Sequence, residues 1–155
     1  MEQLRVMEGG SIDSWYDLDQ MLAEIASEYF PGVTLPVIRW GRKVTRKKRR
    51  SIRLGSYFRP TATIRIHPLL NAPEVPRYFV QSIVFHEMLH HVLGGSHNRR
   101  FHRAERNFRY HAGAREWLRA NLLLLLGLRD RPRRVLRLPP PVAAGSPASQ
   151  LSLFG

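Results

Sequence analysis

The sequence predicts an α+β fold in which a three-stranded antiparallel sheet packs on a long central helix and on flanking helices. Three short strand-like segments, 37–44, 51–58 and 61–67, come after one amphipathic helix and before three further helices. Strands and helices that are segregated in this way are typical of α+β folds. The helices are expected at 14–30, 77–93, about 98–110 and about 114–126.

We assign residues 1–128 to a single domain and residues 129–155 to a tail. The chain has 155 residues, of which 43% are hydrophobic, and this is enough for one compact core. Beyond Asp130 the composition changes to Arg, Pro, Ala, Gly and Ser. Such a segment buries little apolar surface, so we expect the tail to be disordered.

The first helix is predicted over residues 14–30. Ser14 and Asp17 resemble a capping box, and Pro31 with Gly32 stops the helix. The apolar residues between them recur at helical spacing, namely Trp15, Leu18, Leu22, Ile25 and Tyr29.

The third strand-like segment has one apolar face and one polar face. Ile64 and Ile66 alternate with Thr63, Arg65 and His67, which is the two-residue period of a half-buried strand. Because this segment comes just before the central helix, we expect it to form the edge of the sheet. A peptide could add there as a further strand.

The central helix is predicted over residues 77–93. Pro73 and Pro76 prepare its start, and Gly94 with Gly95 ends it. Apolar side chains cover most of its sides, so we expect it to be buried. They are Phe79, Val80, Ile83, Val84, Phe85, Met88, Leu89, Val92 and Leu93.

The same helix contains the motif H-E-x-x-H, from His86 to His90. Four residues advance a helix by slightly more than one turn, so His86 and His90 project from one side and can bind one metal ion. Glu87 lies about 100° round the helix, beside the metal rather than on it. Two neutral nitrogen ligands and a carboxylate free to accept a proton are the arrangement of a zinc hydrolase. On so apolar a helix these polar side chains need partners, which a metal would supply.

A catalytic zinc ion usually has three protein ligands and one open position. His91 lies about 100° from His90 on the same helix, so we expect it to be buried or to support the ligands from outside. The other candidates for the third ligand are His97, His102, His111, Glu105 and Glu116.

Helical phase favours His97 as the third ligand. His97 lies four residues before Phe101, on the inward stripe of the next helix, whereas His102 points about 100° away from Phe101. Gly94 and Gly95 allow the chain reversal that brings His97 back over the motif. His102 remains the main alternative.

The charge of the chain is strongly positive and unevenly distributed. There are 25 Lys and Arg against 12 Asp and Glu, a net charge of +13. Eight of the twelve residues over 42–53 are basic. Such a cluster favours a polyanionic partner, DNA before a membrane, although a solvated basic loop has the same composition. We predict DNA contacts from the tip of a hairpin between the first two strands, at Arg46, Lys47, Lys48, Arg49 and Arg50.

The chain is expected to be soluble and cytoplasmic, in association with the nucleoid. It has no cysteine, so disulfides, thiolate zinc ligands and cysteine nucleophiles are excluded. Residues 1–10 include acidic residues and no apolar core, unlike a secretory signal. The longest apolar run, 122–126, is too short to cross a bilayer, so no membrane partner is expected.

Several of these segments together resemble the SprT-like (Spartan-like) zinc metallopeptidase domain. The resemblance covers about residues 37–118 and is carried by SIRLGSYF, IRIHPLLN, VPRYFVQSIVFHEMLHHVLG and HNRRFHRAERNFRYHAGAREWL. It implies a gluzincin-like fold, zinc ligands at His86, His90 and His97, and a general base at Glu87. Many members of this family add a four-cysteine zinc ribbon for nucleic acid, which this chain cannot have. The basic hairpin would take its place.

The end of the chain, QLSLF, resembles the short peptide by which bacterial replication and repair proteins bind the DNA sliding clamp. Its Leu and Phe side chains stand at the end of a Pro- and Ser-containing tether, as in a linear motif that reaches a pocket. The alternative is a slightly apolar disordered end. We predict clamp contacts at Gln150, Leu151, Leu153 and Phe154.

The leading hypothesis is a zinc-dependent endopeptidase recruited to DNA, where it degrades DNA-bound or DNA-crosslinked proteins during replication and repair. One alternative is a regulatory metallopeptidase that cuts one repressor. Another is a non-catalytic adaptor that binds DNA and the clamp and uses the histidines as a structural metal site. The residue that stabilises the oxyanion is not identified; we consider Tyr57, Tyr110 and His111.

Overall fold

The computed structural model describes residues 14–42 and 50–127. The predictions for residues 46–49, for the tail 129–155 and for the clamp peptide lie outside the described residues. Arg50 lies within them and is exposed. The helices are α1 Leu18–Tyr29, α2 Arg77–Leu93, α3 Arg99–Glu105 and α4 His111–Leu125, and the strands are β1 Val37–Trp40, β2 Gly55–Phe58 and β3 Thr63–Ile66.

The α+β class is confirmed, but the prediction of an antiparallel sheet is wrong. The strand order is β1-β3-β2, with β1 parallel and β2 antiparallel to β3. β3 is therefore the central strand rather than the edge, and β1 and β2 do not form a hairpin. The segment that carries the basic cluster connects two edge strands that lie on opposite sides of β3.

The tight connection between β2 and β3 explains the mixed sheet. A single 3-10 turn, Arg59–Thr61, joins these strands, and it ends at Ala62 with a left-handed φ of 45°. So short a connection makes β2 and β3 antiparallel neighbours. β1 then pairs with the free side of β3, and the Val37 N–H donates to the Ala62 carbonyl at 2.9 Å.

The first helix begins four residues later than the sequence predicts. The N-cap of α1 is Asp17, whose carboxylate accepts a hydrogen bond from the Gln20 N–H at 3.0 Å. The Ser14 hydroxyl instead donates to the Tyr16 carbonyl at 2.7 Å. Asp17 alone therefore satisfies the start of the helix, and no capping box with Ser14 forms.

Helix α2 has the predicted bounds and lies at the centre of the core. Eight of its residues are buried, and α1, α3, α4, β2 and β3 all contact it. Phe85 packs against Tyr29, Phe30 and Phe108 with ring centroids 5.0–5.4 Å apart, which holds the end of α1 and the segment between α3 and α4 onto α2. None of the helices in the described part of the chain is both long enough and apolar enough to cross a membrane.

The last two helices differ from their predicted bounds. Asn98 caps α3 by accepting a hydrogen bond from the Phe101 N–H at 3.0 Å, and the helix ends at Glu105 rather than near residue 110. α4 begins at His111, three residues earlier than expected. The short α3 presents Phe101 and Ala104 to the core.

Candidate metal centre and active site

Three histidine side chains converge on one point between α2 and α3. The Nε2 atom of His97 lies 3.2 Å from Nε2 of His86 and 3.0 Å from Nε2 of His90. Within the described residues, these three form the one group of histidines and acidic residues close enough to hold a metal ion, with ligand atoms within 4.8 Å of one another. A tetrahedral zinc site with bonds of 2.0–2.1 Å requires nitrogens about 3.3 Å apart. The observed separations are close to that requirement.

The second ring nitrogens of the two helical histidines fix their tautomers. His86 Nδ1 bonds the Glu105 carboxylate, and His90 Nδ1 lies 2.9 Å from the Gly94 carbonyl oxygen. Both partners are acceptors, so each Nδ1 carries the proton and each Nε2 presents a lone pair. Both lone pairs therefore point at Nε2 of His97, and a metal ion between the three rings would find three nitrogen ligands. This arrangement is typical of metal-binding histidines.

The end of α2 is shaped to place these ligands. Gly94 follows the helix with a φ of +99°, a conformation that favours glycine. Its N–H bonds the His90 carbonyl at 3.1 Å, and its own carbonyl orients the His90 ring. The chain then turns back through Gly95 and Ser96, so that His97 faces the motif.

Phe101 is the apolar support of all three imidazoles. Its ring centroid lies 5.0 Å from that of His86, 4.7 Å from that of His90 and 4.8 Å from that of His97, and its side chain is fully buried. The four-residue spacing of His97 and Phe101 therefore corresponds to a direct contact between their rings. Packing against this ring restricts the imidazole orientations.

The structure brings His97, and not His102, to the motif. His102 is exposed, and its ring centroid lies 6.3 Å from that of His97. Glu105 supports His86 from outside the cluster. Glu116 is exposed and does not line the cavity beside the histidines.

Glu105 is held ionised by its position. Burial raises the pKa of its carboxyl, but the hydrogen bond from His86 and the charges of His86, His111 and His102 lower it further, so the net shift is downward. The carboxylate therefore stays charged and keeps its bond to the His86 Nδ1–H. An acidic partner of this kind raises the basicity of the ligating nitrogen.

Glu87 is buried beside the cluster and points towards β2. Only 4% of its surface is exposed, and burial raises the pKa of its carboxyl to about 7, against the smaller lowering effects of His86 and Arg53. A Cβ atom at Gly55 would lie 2.7 Å from Glu87 Oε1 and 2.8 Å from Ile83 Cγ2. Glycine is required here because α2 and β2 approach so closely.

The cluster opens into a cavity of about 680 Å³. On one side it is lined by the segment that leads into β2, and on the other by α2 and α4. His86, Glu87, His90 and His97 all line this cavity, together with Arg53, Arg59 and His111. The histidine cluster is thus accessible to a ligand of peptide size.

His91 is held away from the metal cluster. Its Nδ1 lies 2.7 Å from the Tyr57 hydroxyl, and its Nε2 lies 2.8 Å from the Thr34 carbonyl oxygen. The Nε2–H must donate to that carbonyl, so Nδ1 accepts from Tyr57. His91 therefore ties β2 and the segment before β1 to the end of α2.

The three residues considered for the oxyanion differ in position. Tyr57 and His111 line the cavity, whereas Tyr110 does not and packs against Tyr78 and Phe108. Burial lowers the pKa of His111, and the charges of Arg115 and Arg106 add to this while Glu105 opposes it.

Sequence reasoning missed the close approach at Gly55, the contact of the Gly94 carbonyl with His90 and the contact of Glu105 with His86. For Glu105 a signal existed, because His97, Phe101 and Glu105 are spaced by four residues and form one stripe. The close approach at Gly55 depends on how β2 packs against α2, which no local pattern encodes.

Comparison of the chain with family models, with curated proteins and with solved structures finds no match of any of the three kinds.

Proposed function

We propose that the chain is a zinc-dependent endopeptidase recruited to DNA, where it degrades DNA-bound or DNA-crosslinked proteins. The observation that carries the enzymatic part is the convergence of three imidazole Nε2 atoms beside a buried carboxylate in an open cavity. Three nitrogen donors suit zinc, and a site with three protein ligands leaves a position open for water. The gluzincin-like fold and the SprT-like assignment belong to the same proposal.

Each residue of the centre has a separate task. A bound zinc ion would supply Lewis-acid chemistry, lowering the pKa of water and polarising a carbonyl oxygen. Glu87 accepts the proton of the attacking water and passes it to the amine nitrogen of the leaving peptide. In the metal-free protein, burial raises the pKa of its carboxyl to about 7, and this environment favours uptake of a proton. Glu105 and the Gly94 carbonyl keep His86 and His90 in the tautomer that presents Nε2.

The position of β2 supports a peptide as the substrate. β2 is an edge strand whose one neighbour in the sheet is β3, and it lies next to Glu87 at Gly55. An extended peptide can add to such an edge through main-chain hydrogen bonds. The sequence pattern favoured the third strand for this role, but β3 is central, so we propose β2 instead.

Within the described residues, exposed arginines on α4, on α3 and just after α3 support a DNA partner. Arg99 and Arg103 on α3 and Arg106 just after it are exposed and lie within about 60° of one another around the helix axis, and Arg115 and Arg119 are exposed on α4. None of these five forms an ion pair with a described carboxylate, unlike Arg77 with Glu24 and Arg109 with Glu28. Such arginines suit the phosphates of DNA. Arg115 also lines the cavity, so DNA bound by α4 would lie close to it, and the cluster at 46–50 would add further phosphate contacts.

The clamp peptide QLSLF adds a second means of recruitment in the proposal. It rests on the sequence alone. A weak peptide contact and a weak phosphate contact strengthen each other through effective concentration. Deletion of residues 150–155 is expected to abolish binding to the sliding clamp and to leave peptide cleavage unchanged.

The test of the whole proposal compares cleavage of one protein when it is bound to DNA and when it is free. The zinc-loaded protein should cleave the DNA-bound form faster, and added salt should remove the difference. A variant with Arg99→Ala and Arg103→Ala should reduce the advantage and lower the salt slope of DNA binding by about 0.9 for each phosphate that is no longer neutralised. Arg39→Ala with Arg65→Ala, a pair that is exposed on the sheet, is the charge-matched control.

The alternatives predict other results. A regulatory metallopeptidase would cut one protein at one position and leave other DNA-bound proteins intact. A structural adaptor would bind stoichiometric zinc without cleaving any protein.

A further inference from the structure

The cavity extends beyond the histidines along one stripe of α2. Phe79, Ile83, His86 and His90 are spaced by four, three and four residues, so they lie on one face of this helix. All four line the cavity. The face that carries the two ligands is therefore continued towards the start of the helix by apolar side chains.

Helix α4 forms the opposite wall of this part of the cavity. Ala114 and Leu118, one turn apart, line it, and Ala114 is buried while Leu118 is half-buried. The helices are held together here by Phe79 and Trp117, whose ring centroids lie 4.4 Å apart. The side pocket is the name we give to the part of the cavity that is lined by the apolar side chains of Phe79, Ile83, Ala114 and Leu118.

The side pocket offers a ligand little polar contact. The hydroxyl of Ser82, the polar side chain of α2 that borders it, donates to the Phe79 carbonyl at 2.6 Å. Arg115, which also lines the cavity, is exposed, and His111 lies near Glu105, which bonds the ligand His86. A charged or strongly polar side chain would lose hydration in this pocket without compensation.

The distance from the metal cluster sets which part of a substrate can reach the side pocket. At 1.5 Å per residue, Ile83 lies about 4.5 Å and Phe79 about 10 Å along the helix axis from His86. An extended peptide advances about 3.4 Å per residue, and successive side chains point to opposite faces. A residue adjacent to the bond that is cut therefore has its side chain at the mouth of the pocket.

We propose that the side pocket takes one large aliphatic or aromatic side chain of the substrate, next to the scissile bond and on one side of it. This inference rests on the proposed peptidase function and adds a specificity to it. Leu, Ile, Met or Phe is favoured at that position, and Gly, Asp or Lys is disfavoured. The opposite side of the scissile bond lies towards Arg59, Gly95 and His97, where the cavity is polar, and it carries no such preference.

The first measurement is the position of cleavage in a mixture of peptides, read by mass spectrometry after digestion with zinc-loaded protein. Large apolar residues should be enriched at one position beside the cut. Two peptides that differ only by Leu or Ala at that position should then differ in kcat/KM by at least about tenfold.

Filling the pocket should remove this preference. Ala114→Phe places a ring between the two helices and should bring the Leu/Ala ratio close to one. Ala112→Phe is the matched control, because Ala112 is exposed on the same helix, and it should leave the ratio unchanged. Leu118→Ala enlarges the pocket and should shift the preference from Leu towards Phe and Trp, so the inference stays testable if Ala114→Phe does not fold.

A binding measurement separates this inference from the proposed function. A zinc-loaded Glu87→Gln protein should bind a fluorescently labelled Leu peptide more tightly than the Ala peptide, and Ala114→Phe added to it should abolish the difference. If the wild type cleaves nothing but this binding preference is found, the peptidase proposal fails and the side pocket stands. Cleavage without any apolar preference, or an unchanged Leu/Ala ratio in folded, zinc-loaded Ala114→Phe protein, overturns the side pocket and leaves the peptidase.

Discussion

The candidate metal centre has a buried half and an exposed half. His86, Glu87 and His90 stand on α2 at the centre of the core, where Glu87 is buried and the two histidines are half-buried, whereas His97 is exposed in the short loop after Gly94. The packing of α2 against the other helices and strands fixes the positions of the residues in the first half. One turn and the ring of Phe101 hold the second.

This difference separates folding from metal binding. His86 and His90 have hydrogen-bond partners, but burial disfavours the charged form of Glu87, so Glu87 makes the metal-free protein less stable at neutral pH and above. The exposed histidine has little effect on the core but completes the ligand set. We expect a change at the buried Glu87 to act on stability and a change at the exposed His97 to act on metal affinity.

The largest expected effect is on zinc affinity in His97→Ala. Loss of a direct ligand should weaken zinc binding by more than the roughly 10- to 100-fold that an outer partner contributes. The free energy of unfolding of the metal-free protein should stay within about 0.5 kcal/mol of the wild type, since the side chain is exposed. His102→Ala is the control for zinc titration; loss of zinc in that variant and retention in His97→Ala would reverse the ligand assignment.

The next effect concerns Glu87 and the stability of the metal-free protein. Its pKa is raised from an ordinary 4.5 to about 7 in the folded protein. Its contribution to stability is therefore complete below pH 4.5 and is lost as the pH rises through 7. Glu87→Gln cannot ionise, so its stability relative to the wild type should increase between pH 4.5 and pH 8 by on the order of 3 kcal/mol. Urea unfolding in the presence of a chelator measures this difference, and a constant difference across that range would contradict the burial argument.

Glu105 belongs to neither half. It is the last residue of α3, and its carboxylate bonds the ligand His86 on α2. Glu105→Gln keeps the shape but loses the charge that favours the His86 Nδ1–H, so zinc affinity should fall roughly 10- to 100-fold. Glu116→Gln, at an exposed acidic residue of α4, should bind zinc like the wild type. Equal affinities in the two variants would show that the contact with His86 does not tune the ligand.

The smallest expected effect is that of a methyl group at Gly55. Gly55→Ala would place a carbon atom 2.7 Å from the Glu87 carboxylate, and the required shift should lower the free energy of unfolding by about 1–3 kcal/mol. A Cβ atom at Gly41 would meet its neighbours at an ordinary 3.5 Å, so Gly41→Ala is the matched control. If both variants unfold at the same urea concentration as the wild type, β2 does not pack against α2 as closely as described.

Local patterns predicted the presence of four helices, the bounds of α2 and the three converging histidines, but not the bounds of the other helices or the pairing of strands. The bounds of α2 follow from Pro76 and Gly94, and the choice of His97 follows from its phase with Phe101. The sheet order could not be derived in this way. The turn at Arg59–Thr61 and the left-handed Ala62 make β2 and β3 partners, and this leaves β1 on the far side.

The close contacts at the site were equally beyond local patterns. In the sequence, Gly55 looks like an ordinary loop or strand glycine. Its close approach to Glu87 and Ile83 exists only because α2 packs against β2. Likewise, the Gly94 carbonyl contributes through its orientation, which depends on the whole turn after α2. These features arise from tertiary packing, and a hydrophobic period of two or 3.6 residues carries no information about them.

One measurement tests the central claim most directly: the initial rate of cleavage of an unfolded protein substrate by wild-type and Glu87→Gln proteins of equal zinc content. Glu87 is a general base in this account and not a ligand, so both proteins should bind one zinc ion. The variant should cleave slower by about 10²- to 10⁴-fold. Equal rates, or loss of zinc from the variant, would contradict the role assigned to Glu87.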